Sequence, residues 1–145
     1  MLLLVYKFSH TFISMEKTIT VQLTKAEEQI MQILWSLGEG TVQDIREKLD
    51  DPKPARTTIS TVLTILENKG FAAHNSIGRI NNYTPIISKE VYSKSQLLGL
   101  LKNYFNNSFA TMASFFAKES NYTVEELDHL IKNTKDELNK EQKDK

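Results

Sequence analysis

Cysteine is absent from the chain, and disulfides, thiolate nucleophiles and cysteine-based zinc or copper sites are excluded with it. The absence fits a reducing compartment, and a cytoplasmic protein is expected. No apolar run approaches the ~20 residues that cross a bilayer, so membrane insertion is not expected. An excess of charge of either sign is missing too, because eighteen Lys and Arg balance eighteen Asp and Glu. Dividing the chain changes little: Glu16 to Ser88 holds eight basic and nine acidic residues, and the remainder from Lys89 nine of each. Any surface for nucleic acid must therefore be a few cations on one face, not a basic domain. Catalytic signatures are lacking as well. His10, His74 and His129 are scattered, and there is no HExxH, nucleophile elbow or phosphate-binding glycine loop. Neither an enzyme nor a bound cofactor or metal is expected.

Residues 1–15, MLLLVYKFSHTFISM, stand apart. A short apolar stretch from Leu2 to Tyr6 has no cationic region before it and no small-residue cleavage site after it, so it is a poor signal peptide. The expected reading is an upstream start with Met15 as the true first residue; otherwise the segment is a disordered extension. Without an export signal, the N-x-S/T triplets at Asn82, Asn106 and Asn121 are read as chance.

From Thr24 the pattern is regular. Thr24 and Glu27 have capping-box spacing, and Ile30, Ile33, Leu34 and Leu37 mark one face of a helix that ends at Gly38 and Gly40. Thr41 caps a second helix, with Asp44 set favourably against its dipole and Val42, Ile45 and Leu49 as its apolar stripe. Pro52 and Pro54 make the following stretch a loop. A third helix is expected from about Ala55 to Lys69, with Ile59, Val62, Leu63 and Leu66 facing inward. Its opposite face carries Arg56, Thr57, Ser60, Thr61 and Thr64, an unusual choice because threonine is a mediocre helix former. After Gly70, Phe71 to Ile77 and Ile80 to Ile87 read as two strands around a Gly78-Arg79 turn. The order helix, helix, helix, hairpin is that of a winged helix; an unspecific small α+β domain is the alternative.

From Lys89 the chain is helical again. Leu97, Leu98, Leu101, Tyr104 and Phe105 form one apolar surface, interrupted at Asn106-Asn107-Ser108. Ser108 can cap a helix bearing Phe109, Met112, Ala113 and Phe116. Thr123 and Glu126 form a further capping box ahead of Leu127, Leu130, Ile131 and Leu138. Asn139 to Lys145 are too polar to bury and are expected to fray. Three short helices in fewer than ~60 residues rarely bury their own apolar faces. Pairing with a second copy is the expected remedy, and docking onto the N-terminal half is the alternative.

The strings LTKAEEQIMQILW, TVQDI, TTISTVLTILENKGF and GRINNYTP, in this order, resemble the penicillinase repressor family of BlaI, MecI and CopY type. The resemblance covers Leu23 to about Phe116. It is carried by Glu27 and Trp35, by the pair Thr57-Thr58, by Lys69-Gly70, and by Gly78-Arg79 with the following Tyr83 and Pro85. It implies a mostly α fold with a small β-wing: a winged helix-turn-helix over 16–88 and a helical dimerisation region over 89–145. It implies a repressor that binds a palindromic operator in double-stranded DNA as a homodimer. In antibiotic-sensing members a membrane zinc metallopeptidase answers β-lactam, and the repressor is cut in its dimerisation region. Two departures matter. The copper-sensing branch uses C-terminal cysteines, which are lacking here. The scissile Asn-Phe bond aligns with Phe115-Phe116, where the asparagine is missing, so the cleavage region carries over by position only, with a membrane zinc metallopeptidase of the β-lactam-sensor type as the expected agent of release.

With the third helix in the major groove, Arg56 is expected to meet a phosphate or guanine. Thr57, Thr58, Ser60, Thr61 and Thr64 are expected to hydrogen-bond phosphates or meet thymine methyls. Arg79 at the wing tip should reach backbone or minor groove, with His74, Asn81 and Asn82 as weaker partners. Trp35 reads as core. The dimer surface is assigned to Leu97, Leu98, Leu101, Phe105, Phe109, Met112, Phe116, Leu127, Leu130 and Ile131. A winged helix serving as a protein-interaction module is the rival account, and it predicts no salt-sensitive DNA binding.

Overall fold

A computed structural model describes residues 21–144, so the expectations for residues 1–15 lie outside the described residues. The element order is α1 (Lys25–Leu37), α2 (Val42–Lys48), α3 (Arg56–Asn68), β1 (Ala72–Ile77), β2 (Ile80–Pro85), α4 (Lys89–Tyr104), α5 (Phe109–Glu119) and α6 (Val124–Lys143). The chain divides into two compact units, one ending at Gly99 and one beginning at Leu100.

The N-terminal unit is a winged helix. Its core is built from the stripes that the periodicity marked: Ile30, Met31 and Leu34 of α1, Ile45 of α2 with Leu49 after it, and Ile59, Leu63 and Leu66 of α3. Val42 and Val62 are half-buried at its margin rather than central. Both expected N-caps form. Thr24 and Glu27 make a reciprocal capping box at α1, and Thr41 and Asp44 make another at α2, where Asp44 accepts from the Thr41 N–H rather than acting on the dipole alone. Those backbone and hydroxyl hydrogen bonds to Thr41 hold Asp44 below the usual aspartate range.

β1 and β2 pair antiparallel from Ala72↔Pro85 to Ile77↔Ile80. Gly78 takes a positive φ of 65° in the turn, which glycine adopts without a Cβ clash. The second strand stops at Pro85, short of the expected Ile87, because Ile86 and Ile87 donate instead to the Phe71 carbonyl. A contact absent from the expected pattern extends the wing at the free edge of β2. Gly40 and Tyr83 exchange backbone hydrogen bonds at 2.9 and 2.8 Å, which anchors the hairpin to the α1–α2 turn. A side chain at Gly40 would place its Cβ 3.2 Å from Leu37 Cδ1.

This unit runs past Ser88 into the first part of α4, because Tyr92 is buried in the same core and its ring meets Phe71 edge-on at 5.6 Å. Burial raises the Tyr92 phenol above its ordinary pKa. Ser95 is buried beside it and donates to the Tyr92 carbonyl at 2.8 Å. Trp35 is half-buried against the core, as its place among helical apolar residues suggested, and its indole N–H donates to the Ile87 carbonyl at 2.8 Å. Trp35→Phe removes that bond and is expected to cost roughly 1–2 kcal/mol, read as a lower urea midpoint by circular dichroism.

In the C-terminal unit, Asn106 and Asn107 both take positive φ and end α4. Ser108 then caps α5 by accepting from the Thr111 N–H. Thr123 and Glu126 form the capping box of α6. α6 is assigned as helix through Asn139 to Lys143, where exposed Lys and Glu residues are good helix formers.

Candidate nucleic-acid interface

The N-terminal half of α3 and the wing are brought together around a cleft of about 330 Å³ lined by Thr41, Gln43, Arg56, Ser60, Arg79 and Asn81, among others. Arg56 opens α3, and Ser60 follows one turn later on the same side. Arg79 and Asn81 approach from the turn and the start of β2. The bridge between Gly40 and Tyr83 fixes this approach, because it ties the strand carrying Asn81 to the α1–α2 turn. Four residues expected to meet DNA, widely separated in sequence, thus share one cleft.

Neither arginine is paired with a carboxylate among the described residues; the ion pairs there are Lys69–Glu27, His74–Glu67 and Lys94–Glu90. Asp44, next to Gln43 in sequence, accepts from the Thr41 N–H. The start of α3 is also open. Ala55 at its N-cap supplies no side-chain bond, whereas Thr24, Thr41, Ser108 and Thr123 cap their helices. The first backbone N–H groups of α3, the positive end of its dipole, remain available beside Arg56.

The other expected contacts separate into two groups. Thr57, Thr58, Thr61 and Thr64 lie exposed on the outer face of α3, next to the cleft rather than in it. The hydroxyls of Thr61 and Thr64 donate to the carbonyls of Thr57 and Ser60. His74 is in neither place. It is bonded to Glu67 near the end of α3 and its ring lies against Tyr83, 5.3 Å between centroids. Asn82 is likewise drawn away, its amide donating to Glu39 at 3.2 Å.

Two features were not legible beforehand. Gln43 lines the cleft and has a buried Oε1 without a hydrogen-bond partner among the described residues, while its Nε2 donates to Glu47 at 3.1 Å. No signal in the sequence marks it. The second is the partner of Glu27. Its carboxylate, nearly buried, accepts from Lys69 Nζ at 2.7 Å and from the Thr24 N–H at 3.0 Å. Burial pushes the Glu27 pKa up, but the bonds to Lys69 and Thr24 outweigh it and hold the carboxyl below its usual value. One ion pair therefore clamps the start of α1 to the end of α3 and sets how α3 is presented.

The family model of the penicillinase repressors matches residues 23–136. The chain belongs to the penicillinase repressor family. Glu27, Trp35, Lys69, Gly78 and Tyr83, which carried the resemblance, are the residues that clamp α1 to α3, tie α1 to the end of the wing and shape its turn. The chain is 26% identical over 110 residues to the penicillinase repressor of Bacillus licheniformis, covering 75% of this chain and 86% of that one. It is 20% identical over 112 residues to the methicillin resistance regulatory protein MecI of Staphylococcus aureus strain N315, covering 77% and 91%. Among solved structures, the DNA-binding domain of the repressor BlaI is similar at 29% identity with a TM-score of 0.43, covering 49% of this chain and 88% of that one. As a member of the penicillinase repressor family the chain is a transcriptional repressor and not an enzyme.

Proposed function

We propose that this repressor acts in the cytoplasm as a homodimer on a palindromic operator, with α3 of each copy in the major groove and the wing on the adjacent backbone or minor groove. The observation that carries the reading is the cleft where Arg56, Ser60, Arg79 and Asn81 converge without a carboxylate partner for either arginine. Two unpaired guanidiniums, a hydroxyl and an open helix N-terminus make a seat for backbone phosphate. Arg56, at the first turn of α3, also reaches base edges, where guanine is its preferred partner.

Dimerisation is supported by the C-terminal unit taken by itself. Leu101 is its one buried apolar residue among those described, while Phe109, Phe116, Leu130 and Ile131 are 66%, 59%, 46% and 53% exposed. Phe105, Met112 and Leu127 are half-buried, as is Leu98 in the N-terminal unit, where Leu97 is exposed. So much exposed apolar surface marks an interaction site, and a second copy presents the same patch in self-complementary form. Induction is then loss of this pairing. A membrane zinc metallopeptidase of the β-lactam-sensor type would achieve it by cutting within α5. Phe115 and Phe116 lie inside that helix, so such a cut requires α5 to unwind first.

Fluorescence anisotropy of the full chain on its own promoter DNA, against scrambled DNA over a salt series, tests the reading. Tight selective binding with a steep salt dependence is expected. Arg56→Ala and Arg79→Ala should each remove one phosphate contact per subunit, making the log–log salt slope of the dimer shallower by roughly 2. Equal binding to scrambled DNA by a folded protein would reject the operator reading and favour a protein-interaction module.

A further inference from the structure

The outer face of α3 is chemically narrower than a polar helix face usually is. Thr61 Oγ1 donates to the Thr57 carbonyl at 2.9 Å and Thr64 Oγ1 to the Ser60 carbonyl at 3.0 Å. A hydroxyl has one proton, so neither threonine retains a donor for a partner. Each offers a γ-methyl and an oxygen lone pair. Ile65, 38% exposed, lies one turn after Thr61 and beside Thr64, and extends the same methyl surface. The one acid of α3, Glu67, is bonded to His74. Beyond its first turn the exposed face is therefore uncharged, rich in methyl groups and poor in side-chain donors.

Base edges in the major groove respond differently to such a face. Guanine presents N7 and O6, two acceptors that call for donors, and these residues have none to give. An A·T pair presents the thymine C5 methyl and the adenine N6 amine. The lone pairs suit the adenine amine and the cytosine N4 amine alike, so the discriminating group is the thymine methyl, which the threonine and isoleucine methyls suit. We propose that Thr61, Thr64 and Ile65 read thymine C5 methyl groups, so that guanine recognition on α3 falls to the start of the helix, where Arg56 stands. This inference rests on the operator-binding reading and specifies which base the middle of the helix selects.

The test uses a duplex enriched by the full chain from a randomised library of short DNA. The selected duplex is made with thymine and, position by position, with 2′-deoxyuridine, which lacks only the methyl. Each contacted methyl is expected to contribute about fourfold in Kd, the effect of burying one methylene-sized group. Thr61→Ser with Thr64→Ser keeps both hydroxyls and deletes the methyls, and should abolish the preference for thymine over deoxyuridine at those positions. Thr61→Val with Thr64→Val deletes the hydroxyls and keeps the methyls, and should retain the preference. Circular dichroism of both double variants checks that α3 is still formed. Equal affinity for thymine and deoxyuridine duplexes, with selectivity over scrambled DNA intact, would overturn the proposal and leave operator binding standing. Loss of the preference in the valine variant would overturn it equally, by assigning the readout to the hydroxyls. Failure to enrich any sequence would reject operator binding and this inference together.

Discussion

Aspartate in place of Phe109 and Ile131 together is expected to convert the repressor to a monomer and to weaken operator binding by about two to four orders of magnitude, the usual gain from joining two binding modules. Both side chains are more than half exposed on the C-terminal unit, so the substitutions remove little that holds a single subunit together. In a dimer they would place unpaired carboxylates in an apolar contact, where each is costly to desolvate. Sedimentation equilibrium should report the mass of one chain, and anisotropy should show a salt slope about half that of the parent, because one subunit makes half the phosphate contacts. A variant with unchanged mass and unchanged affinity would show that this surface does not pair the subunits.

Glu27→Gln is expected to destabilise the N-terminal unit by about 2 kcal/mol at pH 7. Removing one member of a buried ion pair is normally worth ~3–5 kcal/mol, and the smaller figure reflects Lys69, whose side chain is 30% exposed and can regain water. The pH dependence has a defined sign. The carboxyl of Glu27 is held below its ordinary pKa in the folded protein. Its contribution is therefore complete above that value and disappears as the pH falls through the lower folded-state value. Urea midpoints of parent and variant should differ at pH 7 and converge below pH 4.5. A gap that persists in acid would mean that Glu27 acts by shape rather than charge. Operator affinity should drop as well, since the same pair fixes the end of α3.

Local chemistry was what could be read directly from the chain. The capping boxes at Thr24 and Thr123, the cap at Ser108 and the Gly78-Arg79 turn each involve residues within a few positions, and all form where the sequence places them. The stripes of α1 and α3 were legible for the same reason. What escaped notice is long-range. The pairing of Gly40 with Tyr83 and of Glu27 with Lys69 joins positions about forty residues apart, and no local periodicity encodes either. The burial of Tyr92 and Ser95 with the N-terminal core was hidden because α4 carries apolar residues on several sides. For the interface, residue type pointed to Arg56 and Arg79. Only the fold shows that they share a cleft, that His74 is drawn off by Glu67, and that Thr61 and Thr64 turn their protons inward.

The chain has a single tryptophan, and its indole is fixed by the bond to the Ile87 carbonyl beside the Tyr92 ring. Red-edge excitation, which selects tryptophan over tyrosine, therefore follows the N-terminal unit alone, while far-ultraviolet dichroism records the helices of both units. Comparing the two signals during denaturation gives a label-free measure of cooperativity. Coincident curves would mean that the units melt as one body. If the dichroism falls first at low protein concentration and recovers as the protein is concentrated, the C-terminal helices owe their order to assembly, with the winged helix intact as a silent bystander.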